Sequence, residues 1–290
     1  MEHANQGRLT EARRLLTEAE ARAASPNIRG RIAGTSAYLV ARSGNLTEAM
    51  RIGRDALGIP GLDSATTAIL SGQLGALAEQ AGRLDEAERW LTRGIDALDG
   101  EPLARANLLM NRSLVNMRRL RLEAARADTA AASGIFRDLG LDIDRAQAQH
   151  NEGYVALLAG DVIRALRLMG AARSTLLPLS PVAAAICDVD RAEVLRDAGL
   201  TTEAEHILAQ AAVTFGRHRI PQSRAEAEFN LARSQLTHEP ALAARTAAAA
   251  TRRFRGLGNE TWAARADAVR LRALLSGGSI RQGGGTLEDP

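Results

Sequence analysis

Apolar residues recur at intervals of three and four along most of the chain, as they do on the buried face of an amphipathic helix. Ala87, Trp90, Leu91, Ile95 and Leu98 follow this pattern, and a broader apolar helix face precedes them in residues 69–78. Pro, Gly or Asp separates each such pair of segments from the next. The pattern therefore predicts pairs of helices, each pair joined by a short turn and followed by a loop.

A recurring phrase of Gly, an acid and Ala marks the predicted turn inside each helix pair. Gly favours the left-handed backbone that ends a helix, Thr or Asp caps the next helix, and Glu complements its dipole. We expect Ala49, Ala87, Ala165 and Ala204 to be buried where two helices cross closely. The seven copies are hexapeptides ending at Ala12, Ala49, Ala87, Ala124, Ala165, Ala204 and Ala243.

These copies predict an all-α protein, a right-handed superhelical solenoid of about seven antiparallel helix pairs. The units are 37–41 residues long and cover residues 1–275, with 13 or 14 helices and essentially no strand. A flexible Gly-rich tail is predicted for residues 276–290. Composition agrees, because hydrophobic residues make up 46% of the chain and aromatic residues only 3%, and the abundant Ala and Leu favour helices.

The predicted turn and the residues before it resemble a known repeat family. Leu74-Gly75 followed by Gly82-Arg-Leu-Asp-Glu-Ala87 resembles the tetratricopeptide repeat (TPR) signature, and Asn151-Glu-Gly-Tyr154 before Gly160 is similar. Arg112 and Ala192 stand where the family has its helix-packing Gly. The resemblance implies a solenoid in which the first helix of each pair lines a concave face that binds proteins or peptides.

A second resemblance lies in the last third of the chain. Segments 215–222, 225–233 and 253–266 are similar to the repeat region that precedes CHAT (caspase-like) peptidase domains in actinobacterial proteins. The peptidase domain itself, with its His/Cys dyad, is not matched. The resemblance implies a non-enzymatic interaction scaffold that serves a CHAT-peptidase-linked bacterial system. The alternative is a ligand- or peptide-sensing TPR region of a transcriptional regulator.

Composition excludes several kinds of chemistry. All 37 basic residues are Arg, so a P-loop lysine and a Schiff-base lysine are excluded. The single cysteine excludes an internal disulfide framework, and the five dispersed histidines give no metal-binding spacing. Cys187 with His150 or His206 is the one candidate nucleophile, and a small buried thiol is the preferred interpretation. The sequence therefore predicts no catalytic residue, no cofactor and no metal.

The location and assembly of the chain are predicted from its two ends. The N-terminus has no apolar signal-peptide core, and no stretch is long and apolar enough to cross a membrane, so we expect a cytoplasmic protein without a membrane partner. Solenoids carry polar caps at their ends, and the predicted ends leave apolar helix faces uncovered. A homodimer through an uncapped end is an alternative to a different partner.

The concave face supplies the candidate binding residues. Alignment on the turn Ala places polar and aromatic side chains of successive first helices on one strip, and its Arg members favour an acidic or C-terminal peptide segment. The competing site is Arg252, Arg253 and Arg255 near Trp262, which resembles a nucleic-acid contact. Nucleic acid is not the predicted partner, because Arg near a helix C-terminus also complements the dipole. The candidate residues are Arg31, Tyr38, Arg42, Asn116, His150, Tyr154, Glu193 and Arg196.

Overall fold

The computed structural model describes residues 11, 14–19, 21–23, 25–42 and 45–282. The described residues contain no strand, and residues 14–19 are helical ahead of thirteen helices with defined bounds. These results confirm the predicted fold class. The helices are α1 Pro26–Arg42, α2 Leu46–Leu57, α3 Ser64–Gln80, α4 Leu84–Ala97, α5 Pro102–Arg118, α6 Leu122–Asp138, α7 Asp142–Leu158, α8 Val162–Leu179, α9 Pro181–Asp197, α10 Thr201–Arg217, α11 Pro221–Gln235, α12 Pro240–Gly256 and α13 Glu260–Gln282.

The helices group into two compact units, residues 1–148 and residues 149–290, with the boundary inside α7. In the first unit each of α1, α3 and α5 packs on the helix that follows it, and α3 also contacts both α1 and α5. In the second unit α9 and α11 pack on the helices that follow them, and α11 also contacts α9 and α13. We call α1, α3, α5, α7, α9, α11 and α13 the first helices, and the helices between them the second helices.

The turn between paired helices has the predicted glycine conformation, but the second helix begins two residues earlier than predicted. The N-cap residues of α2 and α4 are Asn45 and Arg83, so Thr47 and Asp85 lie inside the helices instead of capping them. Gly82, Gly160 and Gly199 have φ angles of 74°, 81° and 80°, a left-handed conformation that glycine adopts without steric cost. The Asp161 side chain accepts a hydrogen bond from the backbone N–H of Arg164, and so caps α8. Ala49, Ala87, Ala165 and Ala204 are fully buried, so the prediction for these four positions is confirmed.

The fourth copy of the turn lies one residue later than the sequence pattern predicts. Leu120, not Arg119, has the positive φ angle, at 56°, and Ala125 is fully buried while Ala124 is exposed. The residue at the helix-packing position of this unit is therefore the small, buried Ser113 rather than Arg112. The register was misplaced because this copy has no glycine to mark the turn.

Glycines in first helices permit close helix crossings. A Cβ atom on Gly75 would lie 2.6 Å from Cγ of Leu91 on α4, and one on Gly153 would lie 2.7 Å from Cγ of Met169 on α8. Both distances are too short for a real Cβ contact, so only glycine fits without a shift of the neighbour. The Leu-Gly and Glu-Gly elements of the repeat signature thus mark the crossings.

The last helix is longer than predicted. It begins at Glu260 and continues to Gln282, seven residues beyond the predicted end at 275. Of the predicted tail, residues 283–290 lie outside the described residues. Among the helices that the structure describes, none combines the length and apolar character that a membrane span requires.

Candidate functional site

The first-helix face of the first unit contains an open cleft between α1 and α3. The cleft has a volume of about 390 Å³ and is lined by Tyr38, Ala41, Gln73, Ala76, Leu77 and Gln80. Tyr38 is 56% exposed, although tyrosine usually buries most of its ring. The short side chains of Ala41 and Ala76 leave the space beside that ring. This cleft offers a partner an aromatic wall, amide groups and an apolar floor.

The position of Gln73 depends on a glycine in the neighbouring helix. A Cβ atom on Gly34 of α1 would collide with Oε1 of Gln73 and would lie 2.9 Å from Cδ2 of Leu70. Glycine at position 34 therefore lets the Gln73 side chain lie against α1. The Gln73 side chain therefore packs closely against the α1 backbone at this wall of the cleft.

Two rows of exposed residues run across the first-helix face of the first unit. Tyr38, Ala76 and Leu114 each lie 11 residues before a buried turn alanine and are exposed. Arg31, Ile69 and Asn107 each lie 18 residues before it and are also exposed. Four of these six side chains are apolar or aromatic, and such side chains on an open face are typical of surfaces that bind other chains.

The candidate residues of the first unit differ in placement. Arg31 and Tyr38 are exposed on α1, while Arg42 ends α1 and its side chain lies outside the described residues. Asn116 is buried and donates a hydrogen bond through Nδ2 to Oδ2 of Asp128 at 3.2 Å. The one-residue register error explains this difference, because Asn116 holds the core position that Ala78 holds in α3. Asn116 therefore does not line the open face.

The second unit contains a cluster of the buried His150 and Cys187 with the partly exposed Asp190. Nε2 of His150 lies 2.8 Å from Oδ2 of Asp190, and Nδ1 lies 2.9 Å from Sγ of Cys187. The sulfur also lies 3.5 Å from the carbonyl oxygen of Met169. One histidine on α7 thus contacts two side chains of α9, and the cysteine contacts α8.

The surroundings of His150 favour the protonated form of its ring. Burial disfavours the charged ring, but hydrogen bonds to Asp190 and Cys187 outweigh this effect and raise the pKa of His150 from 6.5 to about 9. Both ring N–H groups then donate, one to the carboxylate of Asp190 and the other to the sulfur of Cys187. The S–H group of Cys187 is left to donate to the carbonyl oxygen of Met169.

Cys, His and Asp also form nucleophilic triads, but in this cluster the thiol is enclosed by the protein. The Cys187 thiol is only 1% exposed, and a buried thiol without access is generally inert. The result agrees with the sequence-based preference for a small buried thiol. No group of His, Cys, Asp or Glu among the described residues has the geometry of a metal site.

The other candidate residues of the second unit lie next to this cluster. Tyr154 is half-buried at the position equivalent to Tyr38, and burial together with the nearby carboxylates of Glu193 and Asp190 raises its pKa. Glu193 is exposed and Arg196 is half-buried on α9. His150 lies beneath them in the core. The structure therefore brings His150, Tyr154 and Glu193 into one neighbourhood and leaves two of them accessible.

The basic C-terminal region is engaged in part by contacts within the chain. Arg253 donates to Oε2 of Glu228 at 2.8 Å, whereas Arg252 and Arg255 are exposed. One side of Trp262 stacks on Phe254 with ring centroids 5.7 Å apart, and the Arg265 guanidinium lies 4.9 Å from the Trp262 ring. Since its ring already has these neighbours, Trp262 offers little surface on which a base could stack.

Known structures show the same fold. The chain has a TM-score of 0.59 and 20% identity to BtubC (BKLC) from P. vanneervenii, covering 74% of this chain and 90% of that chain. Its TM-score to a kinesin light chain of Podosopora anserina with TPR-like repeats is 0.56 at 17% identity, and the match covers 68% of this chain and 99% of that chain. Its TM-score to the Rap conjugation gene regulator of plasmid pLS20 in complex with the Phr* peptide is 0.57 at 17% identity, and the match covers 91% of this chain and 77% of that chain.

These similarities establish a TPR-like helical-repeat fold. No protein-family model matches the chain. No curated protein matches it either.

Proposed function

We propose that this chain is a non-enzymatic scaffold that binds a protein or peptide through its first-helix faces. The cleft around Tyr38 carries the proposal, because an exposed aromatic ring beside an apolar floor is the usual anchor point of a protein interface. Arg31 belongs to one of the two rows described above and favours a partner segment with a carboxylate. Tyr154, Glu193 and Arg196 form the corresponding candidate surface of the second unit.

A photo-crosslinking experiment tests the proposal. A benzophenone side chain is placed at Tyr38, or at the exposed Arg89 on the second helix α4 as a control, and the protein is irradiated in lysate of its native host. We expect a discrete adduct from position 38 that is lost when Ala76→Arg fills the cleft. An adduct that forms equally from position 89, or that survives Ala76→Arg, would contradict the proposal.

The cellular role that we propose is the arm of a CHAT-peptidase-linked system. The sequence resemblance of segments 215–222, 225–233 and 253–266 supports this role. The alternative is a peptide-sensing region of a transcriptional regulator, and the fold shared with the Rap regulator bound to Phr* peptide supports it. The two roles predict different neighbouring genes, one encoding a His/Cys peptidase domain and the other a DNA-binding domain. A cytoplasmic location and dimerisation through an uncapped end stay predictions.

A further inference from the structure

A second cleft lies in the second unit, on the side formed by second helices. It has a volume of about 530 Å³ and is bounded by the C-terminal half of α8, the N-terminal half of α9 and the exposed side of α10. This volume falls within the range of sites that hold a small ligand or a few peptide side chains. None of the candidate binding residues predicted from the sequence belongs to its lining.

The cleft is open because its floor is built from alanine. Ala184 and Ala185 of α9 and Ala211 of α10 are buried at the bottom, and their side chains are too short to fill the space between the helices. Leu177 and Val213 form opposite walls and are 46% and 52% exposed. Two exposed apolar side chains that face the same space favour binding of a third apolar side chain between them, because all three then lose contact with water.

The polar rim of the cleft carries an excess of positive charge. Nε of Arg173 donates to both carboxylate oxygens of Asp188, at 2.7 and 2.8 Å, and Arg191 donates to the same carboxylate at 3.4 Å. Two guanidinium groups therefore share one buried carboxylate. Arg217 lies at the other end of the cleft and is exposed. The ionisable side chains of the lining are Arg173, Asp188, His206 and Arg217. Two guanidinium groups against one carboxylate leave the rim with at least one net positive charge, and Arg191 beside it adds another.

Several hydrogen-bond donors on this rim have no acceptor among the residues that the structure describes. Arg173 bonds Asp188 through Nε alone, and its two terminal amino groups have no acceptor among the described residues. The guanidinium of Arg217 has none either in that part of the chain. Guanidinium groups bind carboxylates through paired N–H donors, which makes both side chains suitable for an acidic ligand.

We propose that this second-helix cleft binds a short acidic segment of a partner protein. An aliphatic or aromatic side chain of the segment lies between Leu177 and Val213 over the alanine floor, and neighbouring carboxylates bind Arg173 and Arg217. The apolar walls favour a peptide over a nucleic acid, whose backbone would need a continuous basic surface. This site lies on different helices from the Tyr38 cleft, so it does not depend on the function proposed above.

Binding of defined peptide pools tests the inference. The first probe is a pool of fluorescent octapeptides built from Leu, Phe, Asp, Glu, Ser and Gly, and the second replaces Asp and Glu by Arg. A single-stranded DNA 12-mer is the third probe. We expect the acidic pool to bind in fluorescence anisotropy and the other two to bind at least tenfold more weakly. Arg217→Glu and Val213→Glu should each lower binding of the acidic pool about tenfold or more.

Arg245→Glu on α12 is the matched control, because Arg245 is exposed in the same unit and the charge change is identical. It should leave binding of the acidic pool within twofold. Both substituted cleft positions are exposed, so the variants should keep the thermal unfolding midpoint of the parent. The inference is overturned if the acidic pool does not bind, if Arg217→Glu binds it like the control, or if DNA binds with the same sensitivity. Loss of acidic-pool binding in Ala76→Arg alone would place the peptide on the first-helix face instead.

Discussion

At the scale of single residues, glycine has opposite effects in different helices of the first unit. A Cβ atom on Gly75 would meet Leu91 at 2.6 Å, whereas one on Gly134 of α6 would meet nothing within 4 Å. Gly75→Ala should therefore destabilise the protein by about 1–3 kcal/mol through overpacking. Gly134→Ala should stabilise it by roughly 0.5–1 kcal/mol, because alanine favours the helix. Urea unfolding measures both, and a loss of stability in both variants would contradict the assigned crossing.

Two adjacent alanines test the corrected register of the fourth turn. Ala125 is fully buried and Ala124 is exposed, so Ala125→Leu should cost about 1–3 kcal/mol of unfolding free energy while Ala124→Leu should change it by less than about 0.5 kcal/mol. Thermal unfolding of the pair gives the answer directly. If Ala124→Leu were the damaging change, the register first predicted from the sequence would be correct.

Single residues also show how far the sequence could predict the structure. Four turn alanines were predicted correctly because each lies in a copy whose Gly or N-cap residue fixes the helix start. The copy with Leu120 was misaligned, and that error moved the prediction for Asn116 from a core position to the binding face. The contact between His150 and Asp190 spans 40 residues, and no local pattern encodes such a pair.

At the scale of helices, His150 of α7 holds α9 through Asp190 and Cys187. Its folded pKa of about 9 exceeds the ordinary 6.5, so its contribution to stability is fully present below pH 6.5 and is lost as the pH rises through 9. We expect the unfolding free energy to fall between pH 6.5 and pH 9 in the parent protein. His150→Gln should be less stable at pH 6 and lack most of this decline. An unchanged decline in the variant would show that other groups cause it.

The α5–α6 pair depends on a buried carboxylate. Asp128 accepts hydrogen bonds from Nε and Nη2 of Arg112 at 2.9 and 2.6 Å, besides the one from Asn116. Asp128→Ala should cost about 2–4 kcal/mol, because it leaves two partly or fully buried donors without an acceptor. Glu123→Ala on the same helix removes only an exposed ion pair with Arg126 and should cost less than about 1 kcal/mol. Chemical denaturation measures the unfolding free energy of both variants. Equal losses would contradict the larger contribution assigned to Asp128.

At the scale of the whole molecule, composition and repeat spacing predicted the fold class but could not predict the two clefts. Both clefts arise where alanine occurs on facing helices, and the sequence does not show which alanines face a space and which face a core. Arg31 and Tyr38 were placed on an accessible face because their helix has an unambiguous turn after it. The basic residues near Trp262 were predicted as a competing site from their charge and the neighbouring aromatic ring. In the structure, Arg253 donates to Glu228 and Trp262 stacks on Phe254.

The first unit has a strict period once the register of the fourth turn is corrected. The small crossing residues Ala37, Gly75 and Ser113 follow one another at 38-residue intervals, as do Ala49, Ala87 and Ala125. Each crossing is formed inside one helix pair, so a tandem duplication of residues 64–101 would add a pair with compatible joints on both sides. The gene could therefore lengthen or shorten by whole pairs without redesign of the core, and each added pair would bring another copy of the exposed rows. Selection on partner length could then act on copy number rather than on individual contacts.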